Sequence, residues 1–221
     1  MRQALEIRKL RKVYNRAARR YDKQHSFLTA GSDQRGRELV VELAVSEGDS
    51  VLDAGAGTGS TAILAAKKTG PNGSVVLYDM SDKMLMVARK RLEDAGLIRL
   101  AKFAKGDITD MPYPDNSFDV VLSTYSTCPL YDPVKGVLEM YRVLKPGGKL
   151  GIAHSIEPDV AWLRWLARRV EAVAWQFPAI SLGCRPISVL PALSKAGAKL
   201  LFRKKVGIPL WPFLVFIVEK P

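Results

Sequence analysis

Nine residues limit what this chain can fold into: Val51-Leu52-Asp53-Ala54-Gly55-Ala56-Gly57-Thr58-Gly59. Val51 to Ala54 reads as a short buried strand. Gly55, Gly57 and Gly59 follow at alternate positions, and Thr61 to Lys67 is a run of helix formers. Strand, glycine turn, helix brings bare backbone and a helix N-terminus up to a ligand. Gly55, Ala56, Gly57 and Gly59 would make a turn that a nucleotide-like ligand can approach closely and in which φ can be positive. Asp53 stands at the carboxyl end of the strand, the edge where open α/β sheets bind ligands.

The chain around this stretch repeats the same order. Val75 to Tyr78, Leu100 to Ala104, Phe118 to Ser123 and Lys149 to Ala153 read as further strands. Helices are expected at Asp82 to Ala95, capped by Ser81 and stopped at Gly96, and from Pro133 to Leu144. Lys145-Pro146-Gly147-Gly148 reads as a turn. Alternating strands and helices predict a parallel sheet with right-handed crossovers. Before it, residues 3–20 read as one basic amphipathic helix through Leu5, Leu10, Val13, Tyr14 and Ala17. Asp33 is expected to cap a second helix running to Leu43. After it come a Trp-rich helix from Val160 to Trp175, a helix from Pro186 to Ala196, and an antiparallel pair, Lys199 to Lys205 with Phe213 to Val218.

Charge divides the chain in the same way. Its net +12 comes from +7 over residues 1–40 and +6 over 157–221, while 41–156 carry −1. The basic excess therefore lies outside the central part. It suits a solvated face, a nucleic-acid footprint or an anionic membrane surface. No run of about 18 apolar residues predicts a membrane span, and the basic N-terminus lacks the apolar segment of a secretory signal. Two cysteines, Cys128 and Cys184, point to a reducing compartment without a disulfide framework. A cytoplasmic location, peripheral on the inner membrane face, follows as the expectation.

Three acids decide between the ligands that a glycine turn can hold. Dinucleotide enzymes use G-x-G-x-x-G with the pyrophosphate on the helix N-terminus. Here the spacing is G-x-G-x-G, with Asp53 before it, Asp79 at the end of the second strand, and Gly106-Asp107 after the third. Such acids repel a pyrophosphate. Asp79 can accept two hydrogen bonds from a ribose diol, Asp107 one from an exocyclic adenine amine, and Asp53 can sit by a cationic amino acid tail.

Together with Tyr78-Asp79-Met80-Ser81, Ser117-Phe118-Asp119-Val120-Val121 and Arg142-Val143-Leu144-Lys145-Pro146-Gly147-Gly148, these residues resemble the class I S-adenosylmethionine-dependent methyltransferases over about residues 40–155. The resemblance implies an α/β, Rossmann-like fold with a seven-stranded, mostly parallel sheet in the order 3-2-1-4-5-7-6. It implies a single domain over 1–221: an N-terminal helical lid (1–45), a donor-binding core (46–155), and acceptor-side helices with the last antiparallel strands (156–221). The glycine turn would lie under the methionine and ribose of S-adenosylmethionine, Asp79 would hold the ribose, Met80 would pack on the adenine, and Asp107 with Ile108 would hold its edge. Tyr14 and Ser123 complete the expected donor set.

More narrowly, Tyr14 and Tyr21-Asp22 ahead of this core resemble the ubiquinone/menaquinone-biosynthesis methyltransferases and the bacterial phosphatidylethanolamine N-methyltransferases. Quinone enzymes usually carry Arg-Asn after the fourth strand, where this chain has Cys128-Pro129. A phospholipid amine or a quinone-like ring are the acceptors that the resemblance implies. Methyl transfer is an in-line displacement, so alignment is the enzyme's main contribution; a carbon or hydroxyl acceptor usually also needs a base. His154, past the fifth strand, and Tyr21 are the candidate catalytic residues, with His25 in the lid as a further histidine. Cys128 and Cys184 lack the cysteine pattern of arsenite methyltransferases, and no metal is expected. Trp162, Trp165 and Trp175 beside Arg164, Arg168 and Arg169 suit an interfacial helix. An RNA substrate is disfavoured because Ser123-Thr124-Tyr125 stands where nucleobase amine methyltransferases carry an Asn/Asp-Pro-Pro-aromatic motif. No obligate protein partner is evident, and a soluble small-molecule acceptor or, less well, a nicotinamide-dependent oxidoreductase are the alternatives.

Overall fold

The computed structural model describes residues 6–29, 31–177 and 181–221, without the side chains of Phe27 and Leu28. The strands are β1 (Ser50–Ala54), β2 (Ser74–Asp79), β3 (Ala101–Lys105), β4 (Phe118–Thr124), β5 (Leu144–Ser155), β6 (Lys199–Ile208) and β7 (Trp211–Glu219). They form one sheet in the order β3-β2-β1-β4-β5-β7-β6, as expected. β1 to β5 pair parallel, and β7 runs antiparallel to both β5 and β6.

Side chains alternate across the strands, so each strand feeds two cores. One face joins Val51, Leu77, Val120 and Val215 to helices α3 (Ser32–Ala44), α4 (Ser60–Thr69) and α5 (Asp82–Asp94) through Val40, Ala62, Ala65, Ala88 and Leu92. The other joins Leu52, Tyr78, Val121, Ile152 and Phe216 to α6 (Pro133–Val143) through Val137 and Met140. Leu193 of α8 (Leu190–Lys195) completes that face. Ser81 caps α5 by accepting from Met84 N–H at 3.1 Å, and Asp132 caps α6 by accepting from Lys135 N–H at 2.9 Å.

Local sequence misjudged four features. The N-terminal stretch is two helices, α1 (Ile7–Ala17) and α2 (Tyr21–Leu28), where one was expected; Leu5 lies outside the described residues. Gly31, at φ +74°, precedes α3. Asp33 sits inside its first turn, and its carboxylate is drawn away to Thr29 and His25 rather than capping the helix. The expected turn Lys145–Gly148 lies within the span of β5, where the pairing with β4 shifts between Phe118 and Val120. Gly147 N–H and Gly148 C=O are held there by Lys220 of the chain end. The helix expected from Pro186 begins only at Leu190, because Ile187 N–H is committed to Ser155 C=O at 3.1 Å.

Candidate functional site

The carboxyl ends of β1, β2 and β4 open on one cavity. It is lined by Tyr14, Tyr21, Gly55, Gly57, Asp79, Met80, Gly106 and Ile108 among the expected residues, and also by Leu10, Met84, Thr124, Tyr125, Ser126, Pro129 and Leu130. Parallel strands end together, so these segments meet although far apart in sequence. Asp107 lies on an adjoining cleft that shares Leu10, Met80 and Leu130 with the cavity. One of its carboxylate oxygens already accepts from Thr109 N–H at 2.9 Å.

The glycine turn divides its work. A β-carbon at Gly55, where φ is +81°, would collide with Ser126 of the loop after β4. That contact locks the two loops together, with Ser126 donating to Ala54 C=O at 2.8 Å. At Gly57, φ is +53° and nothing lies within 4 Å of an added β-carbon, so this backbone faces open space. Its N–H donates to Asp79 Oδ2 at 2.9 Å, while Ser81 N–H donates to Asp79 Oδ1 at 2.8 Å. These bonds aim the Asp79 carboxylate at the cavity and leave further lone pairs on it.

Asp53 is the most perturbed acid. It is 1% exposed, and among the described residues neither carboxylate oxygen has a hydrogen-bond partner within normal geometry, although the nearby Ala62 N–H acts to lower its pKa. Burial pushes its pKa up to about 7, with Arg37 opposing and Asp79 adding to the rise. Burial also raises Asp79 to about 6, against the two N–H groups that hold it. A buried, unpaired carboxylate is costly. Asp53 does not line the cavity but stands behind the glycine turn; a positive charge held near it would reduce that cost.

Helices α1 and α2 lie over this edge of the sheet. Asp22 accepts from Thr58 Oγ1 at 2.6 Å and pairs with Arg91 at 2.9 Å, and the Asn15 and Ser81 side chains are hydrogen bonded at 2.6 Å. Tyr14 donates to Leu182 C=O at 3.0 Å, linking the cover to the segment that precedes α8. Tyr21 stacks on His25 with ring centroids 5.3 Å apart. Burial raises the pKa of Tyr14 and of Tyr21, so both hydroxyls stay protonated and act as donors.

Other expected residues lie behind the lining. Ser123 is fully buried and bonded to Ser126 Oγ at 2.5 Å, one step removed from the cavity. Ala56 and Gly59 support the turn, and Gly59 N–H donates to Ala56 C=O. His154 lies in β5 opposite Leu214 and does not line the cavity. It is 0% exposed, its ring edge meets Phe216, and Nδ1 is 3.0 Å from Ser155 C=O. Burial lowers its pKa and keeps it neutral. Among the described residues no group of His, Cys, Asp and Glu could hold a metal ion.

Sequence reasoning missed Tyr125 and Arg37. Tyr125 holds φ +60°, unusual for a residue with a side chain. Its hydroxyl donates to Asp33 C=O at 3.2 Å, and the Arg37 guanidinium stands 5.0 Å from its ring centroid. Arg37 also donates to Thr124 Oγ1 at 3.1 Å. The one available signal was position: Tyr125 directly follows the fourth strand, at the edge where the glycine turn lies.

Comparison with known proteins agrees with this geometry. Residues 45–182 match a family model described as a methyltransferase domain. The ubiquinone/menaquinone biosynthesis C-methyltransferase UbiE of Pseudomonas putida (strain GB-1) is 34% identical over 173 residues, 78% of this chain and 66% of that protein. The UbiE of Stenotrophomonas maltophilia (strain R551-3) is 36% identical over 153 residues, 69% of this chain and 60% of that protein. The chain thus spans 60–66% of the length of these two relatives. Among solved structures, the [4+2]-cyclase SpnF aligns with a TM-score of 0.69 at 22% identity, covering 85% of this chain and 80% of its own. A possible histamine N-methyltransferase from Thermotoga maritima aligns at 0.67 and 22%, covering 96% and 100%. At such identities the structures establish the fold alone.

Proposed function

The chain belongs to the class I S-adenosylmethionine-dependent methyltransferases, and we propose that it moves the donor's methyl group to a lipophilic small-molecule acceptor, a quinone-like ring or a phospholipid amine, met at an anionic membrane surface. One observation carries the acceptor class. Besides Asp79 and the glycine turn, the cavity is walled by Leu10, Tyr14, Tyr21, Met84, Pro129 and Leu130, a largely apolar and aromatic surface of the kind that holds apolar ligands. The names of the UbiE relatives favour the quinone-like ring.

The residues present fit the donor. Asp53 is a buried carboxylate in want of a cation, Asp79 has lone pairs for a ribose diol, and Gly57 leaves room for a ligand against backbone. S-adenosylmethionine supplies an electrophilic methyl on a sulfonium. The chain's part is to align the acceptor in line with it and keep water out. Tyr21, held by the His25 ring behind it, offers a hydrogen bond to an acceptor oxygen. Helix α7 (Ala161–Ala174) would meet the membrane. Trp162 and Trp165 are 65% and 60% exposed, Val173 shares their face, and Arg169 lies 5.2 Å over the Trp165 ring. Aromatic rings with arginines suit the headgroup layer. Among the described residues no helix is long and apolar enough to cross a membrane.

Mass spectrometry of lipid extracts incubated with the protein and isotopically labelled donor tests the reading. The label is expected in a quinone-like or phospholipid product. Label confined to water-soluble metabolites would overturn it.

A further inference from the structure

We infer that Arg185 forms an oxyanion subsite, taking a phosphate or carboxylate carried by the acceptor. The inference rests on the acceptor-side reading above and deepens it. Arg185 lies between α7 and α8 and lines a second cavity with Ser155, Trp211, Leu210 and the α7 residues Ala167 and Glu171. Its guanidinium is always charged, yet the residue is only 7% exposed. Nη2 donates to Leu130 C=O at 2.9 Å. Nε and Nη1 are buried and have no partner among the described residues.

That arrangement is out of balance for a structural arginine. A buried guanidinium without a carboxylate is destabilising. Glu171, which has a partner of its own, is the one acidic residue of this lining, and among the described residues neither nitrogen has a hydrogen-bond partner. The two free nitrogens, Nε and Nη1, belong to the planar fork that suits oxyanions.

Position connects this subsite to the reaction. Leu130, whose carbonyl holds Arg185, is itself part of the donor cavity wall. An acceptor could therefore present its reacting atom on one side of Leu130 and its anion on the other. Helix α7 lies between the subsite and solvent: Ala167 and Glu171 line the cavity, while Trp162 and Trp165 face outward. The helix proposed to touch the membrane is thus also a wall of the place where a lipid's charged group would rest.

Trp211 in the cavity wall gives a direct readout. Intrinsic fluorescence of the whole chain would be titrated with dihexanoyl phosphatidic acid, hexanoic acid, inorganic phosphate and neutral dihexanoylglycerol. Both R185Q and R185K would be compared with the wild type. Saturable binding of phosphatidic acid alone would assign the subsite to a phospholipid. Binding of hexanoic acid would assign it to a carboxylate, and equally tight binding of inorganic phosphate would assign it to the free ion. In each case R185Q should weaken binding at least ten-fold, with partial rescue in R185K, and neutral dihexanoylglycerol should bind no more tightly to the wild type than to R185Q. Thermal melting adds a readout that a purely structural role would move the other way. R185M should melt at or above the wild-type temperature, since it removes an unpaired buried charge, and anion should raise only the wild-type midpoint. Equal anion affinity in wild type and R185Q, no saturable anion binding at all, or an R185M variant that melts well below the wild type, would overturn the inference. Labelling of lipid extracts with isotopic donor separates the two claims: failure of the acceptor reading confines the label to water-soluble metabolites, while failure of the subsite alone leaves label in the lipid product of the wild type.

Discussion

Nδ1 of His25 lies 3.0 Å from Oδ2 of Asp33, and the same oxygen lies 3.4 Å from Nη2 of Arg37. All three residues are buried. This link ties the end of the lid, through α3, to the wall of the donor cavity, because His25 carries the Tyr21 ring and Arg37 carries Tyr125. Burial alone would raise the Asp33 pKa. The hydrogen bond from His25, then the charges of His25 and Arg37, overcome it and hold the carboxyl at about 2.

Asp33→Asn should therefore destabilise the protein by about 3–5 kcal/mol at pH 7, since it leaves Arg37 buried without its carboxylate. A depressed carboxyl pKa stabilises above the ordinary carboxylate range, and that contribution is lost as pH falls through about 2. The gap between variant and wild type in urea unfolding should thus narrow from pH 4 to pH 2. A gap below about 1 kcal/mol at pH 7 would refute the link.

Asp53→Asn should act in the opposite sense. The Asp53 pKa is raised to about 7, so its ionised form disfavours the folded state, and wild-type stability falls as pH rises through 7. The variant should be more stable than the wild type at pH 8 by about 2–4 kcal/mol, and the difference should shrink by pH 5. Calorimetry should find donor affinity at least ten-fold weaker. A variant that is less stable at pH 8 would contradict the unpaired state of this carboxylate.

Donor affinity should follow the protonation of Asp79. With its pKa raised to about 6 by burial, the carboxylate is lost as pH drops from 7 to 5, and the affinity for S-adenosylmethionine should drop with it. Asp79→Asn should bind weakly at both pH values and show a flatter profile. Unchanged affinity in the variant would remove Asp79 from the ribose site.

Gly57→Ala and Gly48→Ala impose similar left-handed backbone strain, with φ +53° and +85° and open space around both added β-carbons. Each should cost roughly 1 kcal/mol of stability. Only Gly57→Ala should also weaken donor binding, by ten-fold or more, because its β-carbon enters the space assigned to the ligand. Equal donor binding in the two variants would argue against the cradle.

Trp162→Ala with Trp165→Ala should leave the unfolding free energy within about 0.5 kcal/mol of wild type, as expected for exposed positions. Sedimentation with vesicles containing anionic lipid at low salt should drop several-fold. Undiminished sedimentation would exclude α7 as the membrane contact.

Much of the architecture was legible locally. The apolar runs at Val51, Val75 and Phe118 mark their strands because parallel strands are buried on both faces. Ser81 and Asp132 mark helix starts through their own hydrogen bonds. Where reading failed, a distant partner had overridden a local preference. Ser155 takes the N–H of Ile187 and delays α8, and Thr29 and His25 draw Asp33 off its expected cap.

The sequence by itself determined the sheet and the donor edge, since glycine spacing, acids at strand ends and hydrophobic periodicity are properties of neighbouring residues. Only tertiary structure decided which of those residues face the cavity. Gly55 and Gly57 both line it, but Gly55 is packed on Ser126 and only Gly57 leaves open space, while His154 is turned into the core by its register with Leu214. It alone revealed that Asp53 and Arg185 are buried with bonds unmet among the described residues. Burial and missing partners are relations between distant segments, and a linear sequence does not state which segments will meet.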